Sequence, residues 1–479
     1  MNDTSSSVFQ PGQPPRLTPS QRAEVGIAAR RHTPLELHAD AALASRRDPV
    51  TILETQARSR VPELVPVRYG RMLVSPFTYL RGAAAMMAAD LAVAPTSGLI
   101  TQLCGDAHLL NFGLFASPER QLVFDVNDFD ETYPGPFEWD IKRLATSLVT
   151  AARENGHPHK DQRKVVFNAV ERYRSAMNEF ALQGELAAWY VQANMEQAQT
   201  LFAGRLDKRQ RKDVTAALAK AHKRTSLQAM GNLTAVIDGR RQIIDVPHVI
   251  QPVRTLLPMV DDQLLQSEMR TLLARYVQSV PSSLRVLLER FEIVDMARKV
   301  VGVGSVGTRC YIVLLRGRDE EDWLILQVKE AQTSVLAAHR PTPTSLPVFD
   351  NQGERVVAGQ RLMQASSDIF LGWESVRGTD GQTRDYYVRQ LRDWKGSAAI
   401  ETMSADDLRH YGALCGWTLA RAHARAGDRI AIAAYLGDTN VFAHAVTDFA
   451  DSYAAQTELD HAALRTAAIE GRITVAAGI

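Results

Sequence analysis

The feature that most constrains the fold is a change of pattern near residue 293. From about 160 to 290 the chain is Ala-, Leu- and Gln-rich and helical in character. Beyond 293 come two β-rich runs, "TRCYIVLLR" and "WLILQVK", separated by the charged turn "GRDEED". Such runs around a short polar turn predict a β-hairpin. Because Ala-rich helical sequence then returns, we predict an α+β protein with a small antiparallel sheet and a large helical body.

Composition narrows the class of protein. The 479 residues are 45% hydrophobic and 23% charged, with a net charge of +1, which is the balance of a soluble protein with a sizeable core. This charge gives no argument for a nucleic-acid or membrane partner. No apolar run approaches membrane-spanning length, the three cysteines share no metal-binding spacing, and the Ser-, Pro- and Gln-rich start lacks a signal-peptide pattern. We therefore expect a cytoplasmic protein with a disordered tail over residues 1–33.

Two short segments concentrate acidic and amide side chains. They are "CGDAHLLNFG" (104–113) and "DVNDFDET" (125–132). Asp and Asn are poor residues for a buried strand, and clustered carboxylates repel each other, so folding alone does not explain the pattern. Asp106 and Asn111 have the D-x-x-x-x-N spacing of a kinase catalytic loop, and Asp128-Phe129-Asp130 fits the D-F-D variant of its metal-binding motif. Carboxylates that face a triphosphate and Mg²⁺ would explain the crowding.

A glycine-rich loop precedes the predicted hairpin. "GVGSVG" supplies Gly302, Gly304 and Gly307 between a polar helix-like run and a strand, and glycines let a backbone approach phosphate oxygens. A dinucleotide-binding loop would open a helix instead, which disfavours an oxidoreductase. Lys329, at the end of "LILQVK", occupies the position of the lysine that reaches the nucleotide phosphates in kinases. It could equally be a solvent-facing lysine at a strand end.

These motifs carry a family resemblance. "CGDAHLLNFG…LVFDVNDFDETYPGPFEWDIKRL" resembles the H-G-D-x-H-x-x-N, I-D-F-D and D-x-x-R segments of aminoglycoside phosphotransferases and choline kinases. Over its whole length the chain is similar to the bacterial family called "domain of unknown function 2252", through pieces such as "SPFTYLRG", "GVGSVGTRCY" and "GQRLMQASSDIFLGW". The kinase resemblance implies a two-lobe protein-kinase-like fold with ATP and Mg²⁺ as cofactors.

The same resemblance assigns roles to individual residues. Asp106 would be the catalytic base, Asn111 and Asp128 the metal ligands, and Lys329 the phosphate lysine beside the three glycines. Asp130 would be either a second metal contact or a loop cap.

Further residues would support these groups. Asp140 would brace the catalytic loop, His108 would bond loop backbone rather than act in catalysis, and Arg143 would pair with a nearby acid. Three departures from the kinase pattern are notable. Cys104 replaces a bracing histidine, Arg309 replaces a valine over the adenine, and the acid partner of Lys329 is unmarked. Glu354 is our candidate for that partner, with Gln360 as a neutral alternative.

The motifs occur in an unusual order, because the catalytic loop precedes the glycine loop. "GALCGWTLARAHA" near the C-terminus resembles the helix that normally leads into the catalytic loop, so we predict a circular permutation. Residues 104–130 should then meet residues 302–307 and Lys329 across one cleft. The predicted segments are the tail (1–33), the part of the helical lobe with the catalytic and metal loops (34–150), a further helical part (151–290), a β-rich nucleotide-binding lobe (291–395) and a C-terminal helical part (396–479).

The leading functional hypothesis is ATP- and Mg²⁺-dependent phosphoryl transfer to a hydroxyl of an unidentified small molecule or protein. Nucleotidyl transfer and a nucleotide-binding pseudokinase are the alternatives. The acids Glu131, Glu138 and Glu374 could recognise a cationic acceptor, whereas Arg68, Arg71 and Arg81 could bind an anion or stabilise the helical body. The basic stretch "GRLDKRQRKDVTAALAKAHKRT" (204–225) is interpreted as a solvated helix face, with docking of an acidic ligand as the other possibility.

Overall fold

The computed structural model describes residues 17–44, 47–194, 226–257, 262–339, 349–378, 380–391 and 398–476, with the single positions 215, 218, 219, 394 and 396. The fold is mixed α and β. The helices are α1 Pro19–His32, α2 Pro49–Ala57, α3 Val65–Met72, α4 Pro76–Gly82, α5 Ala84–Leu91, α6 Glu138–Glu154, α7 His159–Ala181, α8 Glu185–Tyr190, α9 Ser226–Leu233, α10 Val253–Leu256, α11 Asp262–Gln278, α12 Ser282–Leu288, α13 Gln352–Met363, α14 Ala405–Ala426, α15 Arg429–Leu436 and α16 Val441–Ile469.

The strands form one larger antiparallel sheet and three two-stranded sheets. They are β1 Ile100–Leu103, β2 Phe112–Ala116, β3 Leu122–Val126, β4 Tyr133–Pro136, β5 Thr234–Ile237, β6 Arg240–Ile243, β7 Ile250–Pro252, β8 Glu292–Lys299, β9 Cys310–Arg316, β10 Trp323–Ala331, β11 Gly372–Arg377 and β12 Thr383–Gln390. The larger sheet has the order β11-β12-β10-β9-β8-β7, and the pairs β1–β4, β2–β3 and β5–β6 form the small sheets.

The predicted hairpin is confirmed and proves to be the centre of the larger sheet. Strands β9 and β10 pair antiparallel, with Lys329 opposite Cys310. The run before the glycine loop, which the sequence suggested to be helix-like, is strand β8 and pairs antiparallel with β9. Alternate side chains of this run, Asp295 and Ala297, are buried, which is the period of a strand. The glycine loop therefore connects two antiparallel strands.

The N-terminal region is more ordered than predicted. Helix α1 begins with a capping box between Thr18 and Gln21, with Pro19 at its first position, and both features favour helix initiation. It packs on α15 so closely that a Cβ at Gly26 would overlap the carbonyl oxygen of Ala431. The predicted tail therefore does not extend to residue 33. Residues 1–16 and nearly all of the basic stretch 204–225 lie outside the described residues.

The helical body positions the site through two helices. The apolar residues of "PFEWDIKRLATSLVTAAREN" recur at helical spacing, which predicts the amphipathic helix α6. This helix is buried along most of its length and packs against α7, α14 and α16. Helix α13 lies between the larger sheet and the helical body, because it contacts β10, β11 and β12 on one side and α14 on the other. The loops after β1 and β3 consequently face the glycine loop and the end of β10. Within the described residues, none of the helices has the length and apolar character needed to cross a membrane.

Candidate functional site

The two distant motif groups meet, as predicted. Lys329 Nζ lies 3.6 Å from Asp128 Oδ2 and forms an ion pair with Asp130. Ser305 of the glycine loop donates a hydrogen bond to Asp130 Oδ2 at 3.3 Å. The prediction that residues 104–130 approach residues 302–307 and Lys329 is thus confirmed.

Lys329 is almost completely buried beneath the two aspartates. Burial disfavours its charge, but the carboxylates of Asp128 and Asp130 outweigh this effect and raise the pKa of Lys329. The Tyr387 hydroxyl, on the neighbouring strand β12, donates to Asp130 Oδ1 at 2.7 Å. The predicted partner Glu354 takes no part: it lies in the first turn of α13 and forms no ion pair with another described residue.

The catalytic-loop motif is held in a fixed conformation. The backbone amides of Cys104 and Gly105 donate to the two carboxylate oxygens of Asp140 at 2.8 and 3.0 Å, which confirms the predicted bracing role of Asp140. Gly105 has a φ of 84°, and a Cβ there would overlap the backbone of Glu131, so the position requires glycine. His423 of α14 also reaches Asp140, with Nε2 3.3 Å from Oδ2.

Asp106 and Asn111 lie together at the base of this loop. Asn111 Nδ2 donates to the Asp106 carbonyl oxygen at 2.6 Å, which leaves the amide oxygen as the ligating atom. Arg143 Nε donates to Asp106 Oδ1 at 2.8 Å, so the predicted pairing of Arg143 with an acid is confirmed. Burial nevertheless raises the pKa of Asp106 to about 6, since the favourable effect of Arg143 only partly offsets it.

His108 does not make the contact predicted for it. Its Nδ1 is buried without a hydrogen-bond partner, and its Nε2 lies 3.8 Å from Asp106 Oδ2. The ring therefore bonds no described loop backbone; the loop is closed instead by the His108 amide, which donates to the Asp106 carbonyl oxygen at 2.8 Å.

Two arginines from the N-terminal region, Arg60 after α2 and Arg71 on α3, hold the glycine loop. Arg60 Nη1 donates to the carbonyl oxygens of Gly304 and Val306 at 2.8 and 2.5 Å, and Arg71 Nη1 donates to that of Gly302 at 2.7 Å. Gly302 and Gly304 line the cleft, whereas a Cβ on Gly307 would contact Arg60. Sequence analysis missed these contacts, because nothing in the local pattern links residues 60–71 to the loop.

A second missed residue is Arg355 on α13. Its guanidinium donates to the carbonyl oxygens of Thr132, Asp130 and Gln332 at 2.5, 2.9 and 2.8 Å. It thereby joins the metal-loop motif to the chain that follows β10. No signal in the sequence indicated this role, because Arg355 stands next to Glu354 in a helix that also carries Gln352, Gln360 and Arg361.

The cleft between these loops encloses about 840 Å³, open solvent at its mouth included. Without the open solvent, the enclosed cavity is about 110 Å³, which is below the roughly 300–1,000 Å³ that is usual for small-ligand sites. Asp106, Asn111, Asp128 and Asp130 line it together with the glycine loop. Lys329 does not itself line the cleft, but it pairs with Asp128 and Asp130, which do.

The donor set fits Mg²⁺. Asp128, Asp130 and Asn111 offer hard oxygen ligands, and their arrangement in one cleft leaves coordination positions for phosphate oxygens. Within the part of the chain that the structure describes, no three His, Cys, Asp or Glu side chains form a metal-binding group of their own. A bound Mg²⁺ would therefore require oxygen atoms from a ligand, as is usual for this ion with nucleotides.

Fold and cleft together define an α+β protein with a buried lysine, paired acidic loops and a glycine-rich loop at one site. The chain belongs to the family described as "Uncharacterized protein conserved in bacteria (DUF2252)", whose model matches residues 60–467. Neither the curated proteins nor the solved structures gave a match.

Proposed function

We propose that this protein is an ATP- and Mg²⁺-dependent phosphotransferase that acts on a hydroxyl group. One observation carries the proposal: Asp106, Asn111, Asp128, Asp130 and the glycine loop line one cleft, and the buried Lys329 pairs with the two aspartates beneath it. These are the parts that phosphoryl transfer requires, namely a positioned base, metal ligands and cations at the phosphates.

A protein-kinase-like arrangement is part of the proposal. It is supported by the glycine loop between antiparallel strands β8 and β9 and by Lys329 on the next strand, β10. Helix α13 packs beneath this sheet and, through Arg355, contacts the metal-loop motif.

The permuted order of the motifs also finds support. Helix α14 ends at Gly427, where a Cβ would overlap the Thr101 side chain of β1. The end of the helix that resembles the kinase lead-in helix therefore lies beside the strand that runs into the catalytic loop. His423, near the end of this helix, contacts Asp140 beneath the same loop.

Each residue then has a chemical role. Asp106 accepts the proton of the acceptor hydroxyl, and Arg143 orients its carboxylate. Lys329 contributes positive charge at the phosphates, while Asn111 and Asp128 would hold Mg²⁺, with Asp130 bridging to Lys329. When bound, Mg²⁺ would neutralise charge on the phosphates. The arrangement catalyses mainly through positioning and electrostatics.

Calorimetric titration with ATP, with and without Mg²⁺, tests the nucleotide site. The wild type should bind ATP in a Mg²⁺-dependent manner, and Asp128→Asn should lose most of that dependence. Asp319→Asn, in the exposed turn between β9 and β10, is the matched control and should behave as the wild type. No binding at millimolar ATP, or unchanged binding by Asp128→Asn, would contradict the proposal.

Replacement of the base tests the chemistry. Asp106→Asn should retain ATP binding but reduce turnover by about 10²–10⁴-fold, the usual contribution of general-base catalysis. Release of ADP from ATP is the measurement, and release of pyrophosphate would indicate nucleotidyl transfer instead. Full activity of Asp106→Asn would remove this residue from its assigned role.

A further inference from the structure

Three arginines form a second wall of the cleft. Arg60, Arg68 and Arg81 line it together with the acidic loops, and Arg60 and Arg68 are 8% and 1% exposed. Within the described part of the chain, none of the three forms an ion pair with a carboxylate. The Nε atom of each, and Nη1 of Arg68, is buried without a hydrogen-bond partner.

Structural contacts account for only part of this wall. Arg60 bonds the glycine loop through Nη1, and Arg68 Nη2 donates to Gln56 Oε1 and to the Gly82 carbonyl oxygen at 2.9 and 3.0 Å. Arg81 makes no hydrogen bond to any residue in the described ranges. Most of the acids that line the cleft already have cationic partners, since Asp106 pairs with Arg143, the two metal-loop aspartates pair with Lys329, and Glu330 pairs with Arg309. Glu131 attracts Arg60 and Arg68 without forming an ion pair with either.

Burial of these arginines, which nearby carboxylates offset only in part, is costly. Burial lowers the pKa of Arg60, Arg68 and Arg81, and Arg60 adds repulsion at Arg68. Buried guanidinium groups are ordinarily paired, because removal from water costs several kcal/mol per ion. An anionic ligand in the cleft would supply the missing partner, and the planar fork of arginine is suited to phosphate and carboxylate.

We propose that this arginine wall binds an anionic group of the acceptor, so that the substrate is a hydroxyl compound that also carries a phosphate or carboxylate. This inference rests on the proposed phosphotransfer. Placement favours the acceptor over the nucleotide: among the charged groups around Arg81, Asp106 has the strongest attraction, and the base must touch the acceptor. The glycine loop and Lys329 remain for the triphosphate.

The alternative of a cationic acceptor loses two of its three candidate acids, because Glu131 lines the cleft whereas Glu138 and Glu374 do not. Glu138 is fully buried and accepts hydrogen bonds from the Ser97 amide and hydroxyl at 2.6 and 2.8 Å. Glu131 accepts a hydrogen bond from the Val335 amide at 2.8 Å. Glu374 lies on β11, 3.9 Å from Arg275. Glu131 and Glu138 are thus engaged in structural contacts, and Glu374 already has a cation beside it.

Equilibrium binding of inorganic phosphate, with and without saturating Mg²⁺ and AMP-PNP, tests the inference. Phosphate should bind the wild type in both states, and Arg81→Gln should weaken it by about 10–100-fold, the value of a hydrogen bond to a charged group. AMP-PNP affinity should change by less than about twofold in Arg81→Gln. Arg81→Lys keeps the charge but loses the planar fork of the guanidinium, so its phosphate affinity should lie between those of the wild type and Arg81→Gln. Arg318→Gln, in the exposed β9–β10 turn, is the control.

The outcomes separate the sources of the anion. Competition between phosphate and AMP-PNP, with both weakened alike by Arg81→Gln, would assign the wall to the γ-phosphate and overturn the acceptor assignment. Absence of phosphate binding to the wild type would overturn the anion site. Phosphate binding that depends on Arg81, without any binding of AMP-PNP, would support the anion site and overturn the proposed function. Unchanged AMP-PNP binding by Arg81→Gln shows that the variant is folded.

Discussion

Two clusters that combine the same classes of side chain lie in different surroundings. Each contains one cation, two aspartates and one tyrosine whose hydroxyl donates to an aspartate at 2.7 Å. The closed cluster in the helical body consists of Arg47, Asp90, Asp460 and Tyr453. The cleft cluster consists of Lys329, Asp128, Asp130 and Tyr387. The two clusters therefore match in their aspartates and tyrosine, and they differ in the cation, which is an arginine in one and a lysine in the other, and in their surroundings.

Exposure of the carboxylates distinguishes the clusters. The side chains of Asp90 and Asp460 are 1% and 5% exposed, whereas those of Asp128 and Asp130 are 32% and 25% exposed. Arg47 directs Nε to Asp90 and both terminal nitrogens to Asp460, so the closed cluster is saturated by internal contacts. Ionic composition therefore does not distinguish the candidate functional site from the closed cluster, whereas incomplete enclosure of the carboxylates does.

Removal of the cation should separate the clusters most clearly. Arg47→Met leaves two buried carboxylates unpaired and should lower the free energy of unfolding by about 3–5 kcal/mol. Lys329→Met should cost no more than about 1–2 kcal/mol, because Asp128 and Asp130 can be hydrated from the cleft. Urea unfolding followed by circular dichroism measures both losses. Equal losses, or a larger loss for Lys329→Met, would break the distinction.

The pH dependence of activity should sharpen the distinction between the cleft cluster and the closed cluster. The pKa of Asp106 is about 6, and a base acts only when ionised, so turnover should fall about tenfold per pH unit below about pH 6 and level off above it. The negative charge of Asp128 contributes to this raised pKa, so residual activity of Asp128→Asn should follow a profile displaced to lower pH. ADP release between pH 5 and 8 is the measurement. A flat wild-type profile would contradict the assignment of Asp106 as base.

Loss of one hydroxyl should give the smallest difference. Tyr387→Phe should reduce stability by less than about 1 kcal/mol, because water can replace the lost donor at Asp130. Tyr453→Phe should cost about 1–3 kcal/mol, because Asp90 is left buried with one acceptor unsatisfied. The same urea experiment compares the two variants, and a greater loss from Tyr387→Phe would show that the cleft cluster is as enclosed as the other.

Local patterns predicted much of the site. The spacing of Asp106 and Asn111, the β9–β10 hairpin and the amphipathic helix α6 are short-range features, and the structure places each as expected. The juxtaposition of the two motif groups followed from the kinase resemblance, which relates segments that local patterns cannot connect.

Partner choice could not be predicted in the same way. Glu354 was an expected partner of Lys329 because it lies on the next helix, but packing brings two aspartates from the opposite side of the cleft. Strand β8 was missed because its charged residues alternate with apolar ones over only a few positions, which is too short a pattern to indicate a strand. The segment forms a strand because it pairs with β7 and β9. Such contacts depend on tertiary packing rather than on neighbouring residues.

Separation of the site's components along the chain has a consequence for biosynthesis. Ser305 and Tyr387, which complete the surroundings of Asp130, follow it by 175 and 257 residues. At a translation rate of about 5–20 residues per second, the acidic loops leave the ribosome on the order of 10–50 s before β12 does. The proposed nucleotide affinity should therefore be absent from a nascent chain that ends before the larger sheet, and it should begin only after β12 has been synthesised.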